Sequence, residues 1–382
     1  MKKIIASLAF LISFTHFSWA MTPSWVTEKA VSKNVMQVVF HSSIIDDDVS
    51  FHVFVPNKNE KLPVMYWLHG SHGGAEHIDA VMNDYRYGME HGLIPEMVIV
   101  FPNGIGDSMW IDSKDGTRPV ESILIREIIP YVEQHFNVLS GKENRIIEGF
   151  SMGGYGALHI GFSHPDLFGT ISSISGGPLQ TVFNGETGPQ KNSIARKILL
   201  KKIYGDSQEF FYSQSPWFLA EQHASELSQT KIRIVVGTND EMLKANRELH
   251  KHLNELGIKH QYIEVDNAKH NFPQIFSLAC YKLWGFYWRK ISESQIQAIQ
   301  NSECPNMPMR MVNLGYGKGY SKRIPMLILR FDRNHDNMLG FNEMPSRLQS
   351  MLFSYDKNGD GKIDKSELRL FRIHVINLRQ GK

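Results

Sequence analysis

Cysteine is scarce in this 382-residue chain, which has only Cys280 and Cys304. So few cysteines exclude a disulfide framework, and the chain must rely on an ordinary hydrophobic core. The two could form a single bridge in an oxidising compartment. Alternatively, Cys280, which follows the apolar run Phe276-Ser277-Leu278-Ala279, could stay a buried thiol. The residues leave both readings open. An excess of charge of one sign is missing too: 41 Lys and Arg stand against 39 Asp and Glu, and the counts become equal without Lys2 and Lys3. Nothing in that balance attracts nucleic acid.

Also missing is an apolar run long enough to span a bilayer, which takes roughly 20 residues. The mostly apolar stretch 4–17 is shorter, follows Met1-Lys2-Lys3 and leads into Ser18-Trp19-Ala20. That order of charged, apolar and small residues predicts a secretory signal over 1–20, with a mature chain from Met21. It implies export to the periplasm or beyond, with no stable membrane span after cleavage. With 42% hydrophobic and 21% charged residues, the composition is that of a folded protein.

From about residue 36 to 290, short apolar runs alternate with longer stretches of helical periodicity, as in a parallel sheet flanked by helices. The runs 51–55, 64–68, 97–101, 145–148, 170–174, 232–236 and 261–265 read as strands, several of them β-branched as doubly buried strands are. Helices are predicted over 121–136, where Leu124, Ile128 and Val132 recur every fourth residue, and over 241–256, with Leu249, Leu253 and Leu256 on one side. Gly257 then supplies a stop. The stretch 176–229 breaks the rhythm, and reads either as a cap over the sheet or as two surface helices and a loop. A Gly- and Pro-containing segment, 301–322, reads as a linker between a domain over 21–300 and a second over 323–382.

Gly149-Phe150-Ser151-Met152-Gly153 lies between a predicted strand and a small-residue helix containing Gly154, Gly156 and Ala157. A nucleophile elbow needs that context, because the turn is too tight for side chains beside the serine and must push Ser151 Oγ outward at a helix start. The Met152 amide can then bind an oxyanion. A second donor is expected from Tyr66-Trp67-Leu68-His69-Gly70-Ser71-His72-Gly73-Gly74, an apolar strand running into glycines, with Ser71 N–H as the choice. Serine needs a base, and the base needs a carboxylate. In this kind of fold both follow the serine, acid first, each after a strand. Asp240, after 232–236, and His270, after 261–265, meet that order. Asp266 is the competing acid but shares the loop of His270, and Asp240 could instead cap the helix that follows it. His69, His72, His159 and His164 read as structural or exposed.

These segments resemble the esterase family that includes esterase D, bacterial feruloyl and acetyl xylan esterases and the mycobacterial mycolyltransferases. The matching pieces are Pro63 to Gly70, Phe101-Pro102-Asn103-Gly104, Glu121 with Arg126 to Val132, Gly149 to Leu158, Gly237 to Asp240 and His270-Asn271-Phe272. The resemblance covers about 36–290. It implies an α/β-hydrolase fold, a mainly parallel sheet flanked by helices, and independently the Asp240 and His270 assignments with Ser71 as the second oxyanion amide. Many members carry tryptophan near the catalytic histidine where this chain has Phe272, so substrate preference does not carry over.

Two C-terminal segments follow the calcium-loop pattern of oxygen donors at alternating positions with glutamate at the twelfth. In 356–367 the donors are Asp356, Asn358, Asp360, the Lys362 carbonyl, Asp364 through water, and bidentate Glu367, with Gly361 at the sharp turn. Ile363 can pair with the other loop. That loop, 332–343, offers Asp332, Asn334, Asp336, the Met338 carbonyl and Glu343. It has Asn337 where glycine is preferred and Gly340 at the ninth position, so weaker binding is expected there. A pair of solvated acidic turns is the plainer alternative. The spacing leaves 344–355 as a single helix and resembles dockerin-like and other secreted bacterial EF-hand pairs. It implies a small all-α domain in which Ca2+ is a structural clamp, since so short a segment has little core without it. Docking to a protein partner is a further reading.

The sequence thus predicts an exported serine carboxylic ester hydrolase acting on small-molecule or polysaccharide-linked esters, needing no cofactor for the ester chemistry. Acyl transfer to a sugar acceptor uses the same residues. A non-catalytic, calcium-dependent surface or adhesion protein on a hydrolase scaffold is the reading from a different class.

Overall fold

The computed structural model describes residues 25–300, except 31, 57–58, 72–73, 178, 180, 183–193 and 280–281, and the backbone of 339–340 and 362–363. The signal reading over 1–20, the linker over 301–322 and both cysteines fall outside the described residues. Among the described residues no helix is long and apolar enough to cross a membrane.

Strands β1 (Val35–Ser42), β2 (Asp47–Phe54), β3 (Val64–Leu68), β4 (Val98–Pro102), β5 (Arg145–Phe150), β6 (Thr170–Ile174), β7 (Lys231–Gly237) and β8 (Gln261–Val265) form one sheet in the order β1-β2-β4-β3-β5-β6-β7-β8. The pairings β1·β2 and β2·β4 are antiparallel and the remaining ones parallel. Strand β3 shows why the middle is apolar throughout. Val64, Tyr66 and Leu68 join the core on one face while Met65 and Trp67 join the core on the other, the two-residue period of a strand covered on both sides. Because β3, β5, β7 and β8 run parallel, the segments after them emerge at one edge, where open α/β sheets place their sites. Strand β1 was not among the expected strands. It is an edge strand in which hydrophobicity does not follow burial, with Met36 and Val39 exposed and Ser42 buried.

The helix expected over 121–136 is interrupted. Val120–Ile123 and Ile129–His135 flank a π-turn, Leu124–Ile128, in which the Ile129 amide reaches back to the Leu124 carbonyl. The interruption falls just before Pro130, which has no N–H to continue the ordinary ladder. The helix Leu243–Glu255 buries Leu249 and Leu253, and Gly257 ends it at φ +70°.

Neither reading of 176–229 is quite met. Its described part holds four helices, Ile194–Tyr204, Gln208–Ser213, Pro216–Gln222 and Ala224–Leu227. Ile203, Tyr204, Phe211, Leu219, Ala220 and Leu227 enter the core that also contains Tyr155 and Leu158 of the helix after β5. These helices are a built-in layer of the domain. A charged network lies inside the opposite core: Arg233 on β7 meets Glu148 on β5 at 2.8 Å, and Tyr85 and Tyr287 donate to the same carboxylate.

Candidate active site

Ser151 follows β5 directly and precedes the helix Met152–Ser163, with φ 59° and ψ −118°. An L-residue avoids this conformation, but the surrounding backbone dictates it: Ser151 N–H donates to the Ile174 carbonyl, and its own carbonyl accepts from Tyr155 and Gly177. The flanking glycines are sterically required. A Cβ on Gly149 would lie 2.3 Å from the Gly153 carbonyl oxygen, and one on Gly153 would lie 1.9 Å from that of Leu68. Strand, turn and helix are packed backbone to backbone, with the half-buried serine at the head of the turn.

His270, in the loop after β8, places Nε2 2.9 Å from Ser151 Oγ. Its Nδ1 lies 3.0 and 3.1 Å from the two oxygens of Asp240, in the loop after β7. A carboxylate only accepts, so Nδ1 carries the proton and Nε2 is free to accept from the serine hydroxyl. The Asp240 carboxylate is fully buried. Burial pushes its pKa up, but the hydrogen bond and charge of His270, with the Met242 amide, bring it net below the usual carboxylate range. The two loops are stitched together by Thr238 N–H to the Val265 carbonyl and Asn239 N–H to that of Ala268. Phe150 lies against the imidazole, ring centres 4.8 Å apart, and Phe272 packs edge-on to Trp67 and Phe150.

Asp266 is exposed and plays no part in this chain of contacts. Asp240 is not the cap of the helix Leu243–Glu255, which starts after Met242 without a side-chain cap. Its Oδ1 accepts from Met242 N–H at 2.8 Å in the turn before that helix, and from His270 as well. A carboxylate oxygen has two lone pairs, which is enough.

Gly70 brings the loop after β3 beside the nucleophile, since a Cβ there would lie 3.3 Å from Ser151 Cβ. Ser71 follows as an exposed turn residue, and Met152, the first residue of the helix, is buried. His69 is structural: Nε2 accepts from Gly104 N–H and Nδ1 donates to the Gly70 carbonyl. His159 and His164 both bind Glu121, at 2.8 Å each. His72 lies outside the described residues.

An activated serine beside two converging loops, in an α/β sheet at the carboxyl edge, is the arrangement of a serine hydrolase. The chain belongs to the family described as "Putative esterase", whose model matches residues 42–279, and it is a carboxylic ester hydrolase. It is 24% identical over 258 residues to an acetyl esterase of Caldicellulosiruptor saccharolyticus, covering 62% of this chain and 92% of that one. It is 29% identical over 158 residues to an endo-1,4-beta-xylanase/feruloyl esterase of Xylanibacter ruminicola, covering 38% and 22%. Among solved structures, a ferulic acid esterase shares the fold with TM-score 0.54 at 23% identity, covering 66% of this chain and 96% of that one. An S-formylglutathione hydrolase from Agrobacterium tumefaciens does so with TM-score 0.52 at 19% identity, covering 65% and 92%.

An EF-hand model matches 354–371, containing the loop 356–367. The side chains of both loops lie outside the described residues. Their backbones, however, meet where paired loops should: Leu339 and Ile363, the eighth residue of each, face one another in a two-residue antiparallel ladder. The oxygen-only donor set suits a hard cation such as calcium.

Proposed function

We propose that this chain is an exported serine esterase that works through an acyl-enzyme on Ser151 and acts on acylated carbohydrates. The observation that carries the reading is the unbroken line from Ser151 Oγ through His270 to Asp240. Ser151 Oγ attacks the ester carbonyl while His270 Nε2 takes its proton. The Ser71 and Met152 amides hold the negative oxygen, and collapse expels the alcohol with that proton. Water, deprotonated by the same nitrogen, then attacks the acyl-enzyme; the acid leaves and Ser151 regains its hydrogen. Asp240 keeps the imidazole in the required tautomer and stabilises it when charged. The carbohydrate context is supported by the name of one relative, an endo-1,4-beta-xylanase/feruloyl esterase. Export is supported by the order of residues over 1–20. Calcium would be held by Asp356, Asn358, Asp360, the Lys362 carbonyl, Asp364 and Glu367, and more weakly by Asp332, Asn334, Asp336, the Met338 carbonyl and Glu343, and would clamp the C-terminal segment.

Wild-type protein is expected to hydrolyse short-chain p-nitrophenyl esters and to release acetate or ferulate from acylated oligosaccharides. Ser151→Ala is expected to abolish both. Activity surviving in the variant would overturn the nucleophile. Activity confined to thioesters would overturn the carbohydrate reading.

A further inference from the structure

Trp110 has no role in the chemistry above, yet the backbone around it is strained and two glycines make room for it. Its side chain is wholly buried. Ile105, Met109 and Trp110 all sit at positive φ, 45°, 59° and 61°, a region that β-branched and bulky residues avoid. A Cβ on Gly104 would come 2.4 Å from the indole ring, and one on Gly156 2.4 Å from Trp110 Cβ. Gly156 belongs to the helix Met152–Ser163 that follows Ser151. On its other side the indole Nε1–H donates to the His69 carbonyl at 3.0 Å, with the two rings 5.0 Å apart. His69 in turn grips the Gly70 carbonyl.

We infer that Trp110 is a positioning residue for the oxyanion hole: a strut between the nucleophile helix and the loop after β3, setting the distance between the Met152 and Ser71 amides. The inference rests on the proposed roles of those two amides. One amide is fixed by the helix and the other hangs on a glycine-containing turn, so their separation depends on what holds the turn to the helix. Trp110 is in contact with both. The strained backbone around it is what aims its ring into that gap.

The test uses full-length protein with Trp110→Phe, which keeps a ring but removes the N–H, and with benzothienylalanine at position 110, which keeps the indole shape and removes only the N–H. Active sites are titrated with a fluorophosphonate, so that turnover is counted per reactive serine. Both variants are expected to lose about 10- to 100-fold in kcat, because small displacements of oxyanion donors cost about that much. Affinity for a boronic acid, which mimics the tetrahedral adduct, falls in parallel, while affinity for the carboxylic acid product holds. Wild-type kcat and boronate affinity per titrated site in the benzothienylalanine variant would overturn the inference, whatever the effect on Tm. If Trp110→Phe does not fold, the isosteric variant decides alone. Inactive wild-type protein, or an active Ser151→Ala, would point to failure of the underlying esterase reading.

Discussion

Ser151 is held in a conformation that costs an L-residue on the order of 1–3 kcal/mol, so the surrounding fold must over-determine it. Its amide, its carbonyl and the two flanking glycines all do so. His270 is constrained just as closely, between a buried carboxylate and the serine. Asp240→Asn leaves the shape intact but presents an amide N–H to Nδ1, which moves the imidazole proton to Nε2, facing Ser151. The expected result is a loss of about 10⁴-fold in kcat with little change in Tm, measured by steady-state kinetics and thermal melting. Retention of wild-type kcat would rule out Asp240 as the orienting acid. Asp266→Asn, at an exposed position, is expected to leave kcat unchanged in the same assay.

At the scale of elements, the helix carrying Ser151 is anchored on its far side by an ion pair. Both nitrogens of the buried His159 face acceptors, the Gln214 carbonyl and Glu121 Oε2 at 2.8 Å each, so the ring carries both protons. Burial alone would push its pKa down, but the Glu121 carboxylate raises it above the usual value. Burial would likewise push Glu121 up, but His159 and His164 bring it down to about 2. The signs set a window. The Glu121 contribution is complete above its ordinary value of 4.5 and is lost as pH falls toward 2. The His159 contribution is complete below 6.5 and is lost as pH rises through its raised folded value. The difference in Tm between wild type and Glu121→Gln, followed by thermal melting across pH, is therefore expected to peak between those limits. A difference independent of pH would show that the pair is not charged. Sequence periodicity could place the helix of Glu121 but not its π-turn, nor the meeting of Glu121 with His159 inside another helix and His164 just past its end, because both depend on how the two helices pack.

At the scale of the molecule, the esterase match and the EF-hand match lie in separate stretches of chain, 42–279 and 354–371. If calcium is a clamp, EGTA is expected to open the segment after residue 300 to limited proteolysis while kcat on a soluble ester stays within about twofold of its calcium-loaded value. Glu367→Gln should reproduce that sensitivity without chelator. Unchanged proteolysis would end the clamp reading, and a collapse of kcat would instead make calcium a regulator of the esterase.

Much of this was legible in the residues themselves. Strands β3, β6 and β8 match the expected limits to the residue. For β3 the reason is that a strand buried on both faces is a continuous apolar run, whereas β8 is an edge strand that alternates more and less exposed residues. Ser151 could be proposed because an elbow favours glycine at Gly149 and Gly153, and the order of chain segments after parallel strands then pointed to Asp240 and His270, which the fold brings within hydrogen-bond distance of one another and of the serine. The edge strand β1, the four-helix layer, the shared use of Asp240 Oδ1 and the place of Trp110 were decided only in three dimensions. Local pattern records which face of an element is buried. It does not record which distant carbonyl, carboxylate or glycine gap that face will meet.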